Sequence, residues 1–168
     1  VMAGGESSQS VVWSSPTNRG NVVAMDSAYH VAAHNRDRDV CINSSYCGVL
    51  PARFIAEHRP RAAIGMDCGV GPEGSAIAGL WYLEALNVPA AVADVMTAHL
   101  GNGVHLFHHG VISFANQLAA DRGVLKGMTV ADAAKRLLEN DAPTGQLASE
   151  ITNRTVMFTK GGRHVIAT

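Results

Sequence analysis

Four short runs of the chain are apolar without interruption: Asn21–Met25 and residues 40–43, 62–66 and 90–93. A strand with one wetted face alternates polar and apolar positions, whereas continuous runs of this length suit strands covered on both faces, as in a parallel sheet. Between the second and third runs, residues 51–59 open with Pro51, which a first helical turn tolerates, and stop before Pro60. That spacing predicts a short helix. Residues 75–86 are apolar on nearly all sides, with Asn87 as a C-cap and Pro89 just beyond. They predict a helix buried in the domain or in a subunit interface.

The second half changes character. Residues 113–122 and Val130–Glu139 carry a helical period, each followed by a stop, Gly123 in one case and residues 140–143 in the other. Thr129 with Asp132 resembles a capping box. Residues 154–159 and 163–167 flank Gly161 and Gly162 and read as a hairpin, and a further strand is expected at Ser10–Ser14. Strands that alternate with short helices imply right-handed crossovers. The expected class is therefore α/β, in three layers, with a mostly parallel sheet, helices on both of its faces and a C-terminal β-hairpin. With 168 residues and no internal repeat, one domain over residues 1–168 is expected, with residues 1–20 as a mobile N-terminal segment.

Charge narrows the range of partners. Thirteen basic and fourteen acidic side chains leave a formal charge of −1, so no global field recruits nucleic acid or an anionic membrane. The apolar runs are too short to cross a bilayer. A small-molecule ligand is expected instead. Cys41, Cys47 and Cys68 are odd in number and lack CxxC spacing, which argues against a disulfide framework or a thiolate zinc site and fits a reducing cytoplasm. Arg53, His58, Arg59 and Arg61 gather around the end of the first helix, where cations complement the helix dipole.

In open parallel sheets, ligands sit at the carboxyl ends of the strands, in the crevice where strand order reverses. Those ends are polar here. The first run leads into Asp26, the second into Ser44, Ser45 and Cys47, the third into Asp67 and Cys68, and the fourth into Asp94. A carboxylate in such a place can bind metal, act as a base, orient a histidine or cap the next helix. Cys47 stands between a strand and a helix, in the outline of a nucleophile elbow, where a helix N-terminus would favour the thiolate. Ser45 occupies the place of the elbow's first glycine, and a cysteine that packs as a small apolar group is the plainer reading.

Eight histidines fall largely into two groups. His30 and His34, four apart after Asp26, would share one face of a helix and, with a third ligand, hold a divalent metal. His105, His108 and His109, with His99 nearby, lie among glycines that predict a loop folded over the strand ends. Either group could supply a general base. Gly69, Gly71 and Gly74 form a GxGxxG after a strand and before a helix, and Asp94 stands where a dinucleotide fingerprint puts its ribose-binding acid. Asp67 and Glu73 set negative charge where a pyrophosphate would lie, so a glycine-rich turn that permits close packing is the competing reading.

Three functions follow. The first is a small-molecule hydrolase-type enzyme at the carboxyl strand ends. In it Cys47 is a nucleophile, or Asp67 is a base or metal ligand, with Asp26 and His30 assisting and a divalent metal as the candidate cofactor. The second is a nucleotide- or dinucleotide-binding module on Gly69, Gly71 and Gly74 with Asp94. The third is a noncatalytic subunit of a homo- or hetero-oligomer, whose apolar helix packs against a copy of itself or another chain; a homo-oligomer is expected.

Overall fold

A computed structural model describes residues 9–46, 49–67, 78–99, 101–141, 159–160 and 163–164. After an edge strand β1 (Ser10–Ser14), each continuous apolar run forms a strand: β2 (Asn21–Met25), β3 (Val40–Tyr46), β4 (Ala62–Asp67) and β5 (Ala90–Asp94). These four are parallel, with Val22 paired to Val40, Val40 to Ala62 and Ala63 to Ala90. β1 runs antiparallel along β2, and a further strand, β6 (Ile112–Ala115), runs antiparallel along β5. The result is a six-stranded, mostly parallel sheet of an α/β protein, in the order β1-β2-β3-β4-β5-β6.

Alternate residues of the strands enter two separate cores. Val23, Cys41, Ala63 and Val92 pack with Ala52 and Ile55 of α1 (Val49–His58) and with Leu80 and Leu83 of α2 (Ala78–Ala85). Val22, Ile42, Ile64 and Ala91 pack instead with Leu106 and Phe107 of α3 (Gly103–His109) and with Ala134, Leu137 and Leu138 of α5 (Val130–Glu139). A period of two along strands flanked by helices explains why the runs carry no polar alternation: both sets of side chains are buried.

The connections from β2 to β5 all contribute to the first core. Right-handed crossovers on one face step the chain in one direction across a sheet. Strand order therefore does not reverse among the parallel strands, and the expected switch-point crevice is not formed there.

Two expectations are corrected. Of residues 113–122, the first three belong to β6, and only α4 (Gln117–Ala120) is helical. Ile112 is buried and Phe114 exposed, although two apart, because the ladder shifts register between them: Val92 pairs with Phe114 and Ala93 with Ile112. Asn116 then ends the strand and caps the helix: its Oδ1 accepts the N–H groups of Ala119 and Ala90, and its Nδ2 donates to the carbonyls of Leu80 and Val88. The second correction is α3, expected as a loop. Asn102 caps it by accepting the His105 N–H at 2.9 Å. Gly103 is needed for contact, not for a turn, because a Cβ there would lie 2.1 Å from the Met25 carbonyl oxygen.

The Thr129 hydroxyl caps α5 by accepting the Asp132 N–H, as the sequence suggests. β7 (Thr159–Lys160) and β8 (Arg163–His164) pair antiparallel, while the remainder of the expected hairpin, with Gly161 and Gly162, lies outside the described residues. Among the described residues, no helix is long and apolar enough to cross a membrane.

Candidate functional site

The carboxyl half of β3 departs from a regular ladder. Ile42 pairs with Ile64 and Tyr46 with Met66, so four steps along β3 cover two along β4. Asn43, Ser44 and Ser45 fill this bulge, and the first two are buried. The Asn43 side chain replaces the broken ladder by donating to the Ile64 carbonyl at 3.2 Å and accepting the Ser45 N–H at 3.2 Å. Ser44 Oγ lies 3.2 Å from both Met66 Sδ and the His99 carbonyl oxygen. Ser45 Oγ accepts the Ala28 N–H at 3.0 Å and lies 3.4 Å from Ser27 Oγ. The polar end of an inner strand is thus tied to the segments that follow both β2 and β5.

Carboxylates flank it. Asp26, just after β2, is exposed and accepts the Gly103 N–H through Oδ1 at 3.1 Å, holding the first turn of α3 over the strand ends. Asp67, at the end of β4, is half-buried, with Ser113 Oγ of β6 at 3.3 Å from Oδ2. Asp94 pairs with Asp67 in the parallel register. Its Oδ1 accepts the Met96 N–H at 2.9 Å, so this carboxylate caps the short 3-10 turn Val95–Thr97. Ser113 is a polar neighbour of the site that sequence reasoning placed on a helix. Four residues offer too short a pattern to have placed it on a strand.

The histidine groups divide. His30 ends one 3-10 turn (Ala28–His30) and His34 lies in another (Ala33–Asn35), with extended backbone between them. The shared helical face expected for them does not form, because Val31 and Ala32 interrupt the helix. His34 Nε2 instead lies 3.0 Å from Gln9 Oε1. The second group assembles on α3: the His99 and His105 rings stack 3.9 Å apart, and the His105 and His109 centroids are 4.3 Å apart. The His99 N–H donates to His105 Nδ1 at 3.1 Å. Desolvation, and then the imidazoles of His99, His109 and His108, hold His105 below its ordinary value. Among the described residues, no three His, Cys, Asp or Glu side chains converge to hold a metal ion.

Cys47, Cys68, Gly69, Gly71 and Gly74 lie outside the described residues, so the elbow and the glycine motif are located only by their neighbours in the chain, Tyr46 at the end of β3 and Asp67 at the end of β4. The structure brings together Asp67 and Ser113, Asp26 and the start of α3, and the β3 bulge with the backbone of His99. It leaves Asp94 on its own turn. Comparisons of the chain with protein-family models, with curated proteins and with solved structures give no match.

Proposed function

We propose that the chain is a hydrolase-type enzyme acting on a small polar molecule at the carboxyl ends of β2 to β5. The observation that carries this reading is the polar bulge Asn43, Ser44 and Ser45 in an inner strand, with Asn43 and Ser44 buried, flanked by strands that lead into Asp26 and Asp67. Packing gains nothing from burying these polar groups in place of apolar ones, whereas bulges re-aim side chains beside active sites. Asp67 is the base or metal ligand of this reading, Cys47 is its nucleophile, and Asp26 positions α3. His30 remains a candidate proton acceptor, reached from the turn after β2. The two cores packed on alternate strand residues support a three-layer arrangement, and the buried free thiol of Cys41 suits a reducing cytoplasm.

The test is turnover of a panel of nitrophenyl esters and anilides by the wild type and by the Asp67→Asn and Cys47→Ala variants. Loss of about 100-fold or more in either variant, at an unchanged melting temperature, supports the reading and says which residue acts. No hydrolysis by the wild type, or undiminished hydrolysis in both variants, overturns it.

A second reading, the noncatalytic subunit, has its own observation. A groove of about 450 Å³ between α1 and α2 is lined by Leu50, Phe54, Tyr82 and Leu86 with Arg53 and Glu57. Of its lining, Leu50 is 61% and Leu86 42% exposed. Two copies packed antiparallel along α1 would bring Arg53 of each to Glu57 of the other, the reciprocity a twofold homodimer requires.

A further inference from the structure

The amino ends of β4 and β5, at the opposite end of the sheet from Asp26 and Asp67, border a cavity of about 200 Å³. Arg59, Arg61, Arg122, Asn87, Asp37 and Asp141 line it. Their charges are not evenly answered. Arg61 is tied to the end of α5: its Nε donates to the Leu137 carbonyl at 3.1 Å, and its Nη2 donates to the Asn140 carbonyl at 3.2 Å and to Asp141 at 2.7 Å. Asp141 also receives Arg19 at 2.9 Å. Asp37 has Arg36 at 3.9 Å.

Two guanidiniums keep donors without a hydrogen-bond partner among the described residues. Arg122 spends Nη1 on the Leu118 carbonyl at 2.7 Å, and its other donors have no partner among the described residues. Burial, and next the like charge of Arg61, press it below the ordinary arginine range, and the charges of Asp121 and Asp141 offset this only in part. Arg59 makes no side-chain hydrogen bond or ion pair with any described residue. Its backbone ends α1 in the left-handed region, φ 45°, with its N–H on the Ile55 carbonyl at 2.9 Å. Glycine is the ordinary residue at such a helix end, because a Cβ is strained there. A long cation stands instead, beside a cavity that holds a second one.

We propose that this cavity is a ligand site separate from the strand-end site, taking a small oxyanion, either phosphate itself or the phosphoryl group of a small metabolite. Arg59 and the uncommitted donors of Arg122 hold the oxygens, as planar guanidiniums do for tetrahedral oxyanions. Arg61 and Asp141 fix the wall. Complementing the carboxyl ends of nearby helices is the other use of these cations, and it requires no ligand.

Calorimetric titration of the full chain with inorganic phosphate and with glycerol phosphate, at ionic strength held constant with sodium chloride, tests the site. The wild type is expected to bind one equivalent saturably. Arg59→Gln and Arg59→Gly are each expected to weaken binding by about tenfold or more. Arg59→Gly relieves the left-handed strain, so without phosphate it should melt no lower than the wild type, which separates loss of the site from loss of the fold. Tighter binding of glycerol phosphate identifies a phosphorylated metabolite as the ligand, and equal or weaker binding identifies free phosphate. Absence of saturable binding up to about 10 mM, or retention of wild-type affinity by Arg59→Gly, overturns the proposal.

Discussion

Asn116 serves four backbone groups with one amide, joining the end of β6 to the start of β5, the first turn of α4, the first half of α2 and the loop after α2. All of these lie in the interior, where an unmade hydrogen bond costs the full desolvation of its partner. Asn116→Ala is expected to destabilise the protein by about 3 kcal/mol, read as a lower denaturant midpoint at unchanged slope. Cys41 makes the converse case. Burial, and then the charge of Asp39, push its thiol well above the ordinary range, so in the native protein it should resist a thiol reagent that labels it on unfolding. Residue identity made Asp26, Asp67 and Asp94 legible as carboxylates at strand ends, yet it did not divide them by task. Asp94 caps its own turn, Asp26 holds a neighbouring helix and Asp67 meets Ser113. Those differences arise from partners 2 to 77 positions away, which spacing along the chain does not encode.

Elements were legible in proportion to the continuity of their burial. The four parallel strands and α5 stood out because whole runs or a full helical stripe face a core. β6 and α3 did not, since a four-residue edge strand and a seven-residue helix offer too little period to separate strand, helix and loop. The histidines of α3 give that helix a pH response. His105 is held below its ordinary 6.5, so the unfolded chain takes up the proton first. Stability is full above that value and falls as pH drops below it. Melting temperatures followed from about pH 7.5 to 5 should show a decline that is shallower in His105→Asn. At the end of α5 the sign is the usual one for carboxylates. Hydrogen bonds from Ser15 and Thr17 depress Glu139, and those from Arg61 and Arg19 depress Asp141. The contribution of these ties to stability is present above their ordinary values of 4.5 and 3.8 and is lost as pH falls beneath them. Acid unfolding of Ser15→Ala combined with Thr17→Val should accordingly show a weaker dependence on pH in that range.

For the whole molecule, the α/β class and the parallel sheet followed from strands alternating with helices, whereas the antiparallel β6 and the unbroken strand order did not, since neither leaves a mark on local periodicity. The exposed face of α1 and α2 carries a prediction at this scale. If the groove joins two copies, sedimentation of the wild type gives a dimer, and Leu50→Glu, which changes an exposed residue of its lining, gives a folded monomer. A wild type that stays monomeric at high concentration removes the subunit reading.

The strand order also bears on how the chain reaches its native state. Each strand of the parallel set is laid against the one synthesised just before it, so every pairing joins residues only 18 to 27 positions apart. A nascent chain emerging from the ribosome can extend its sheet one strand at a time, always at the growing edge, without waiting for a distant segment to arrive. The last strand of this sheet, β6, comes in antiparallel on β5, and α5, packed across β2, β3 and β4, completes the second core. Until then that side of the nascent sheet is covered only in part, by α3, and that is the interval in which a chaperone would have most to hold.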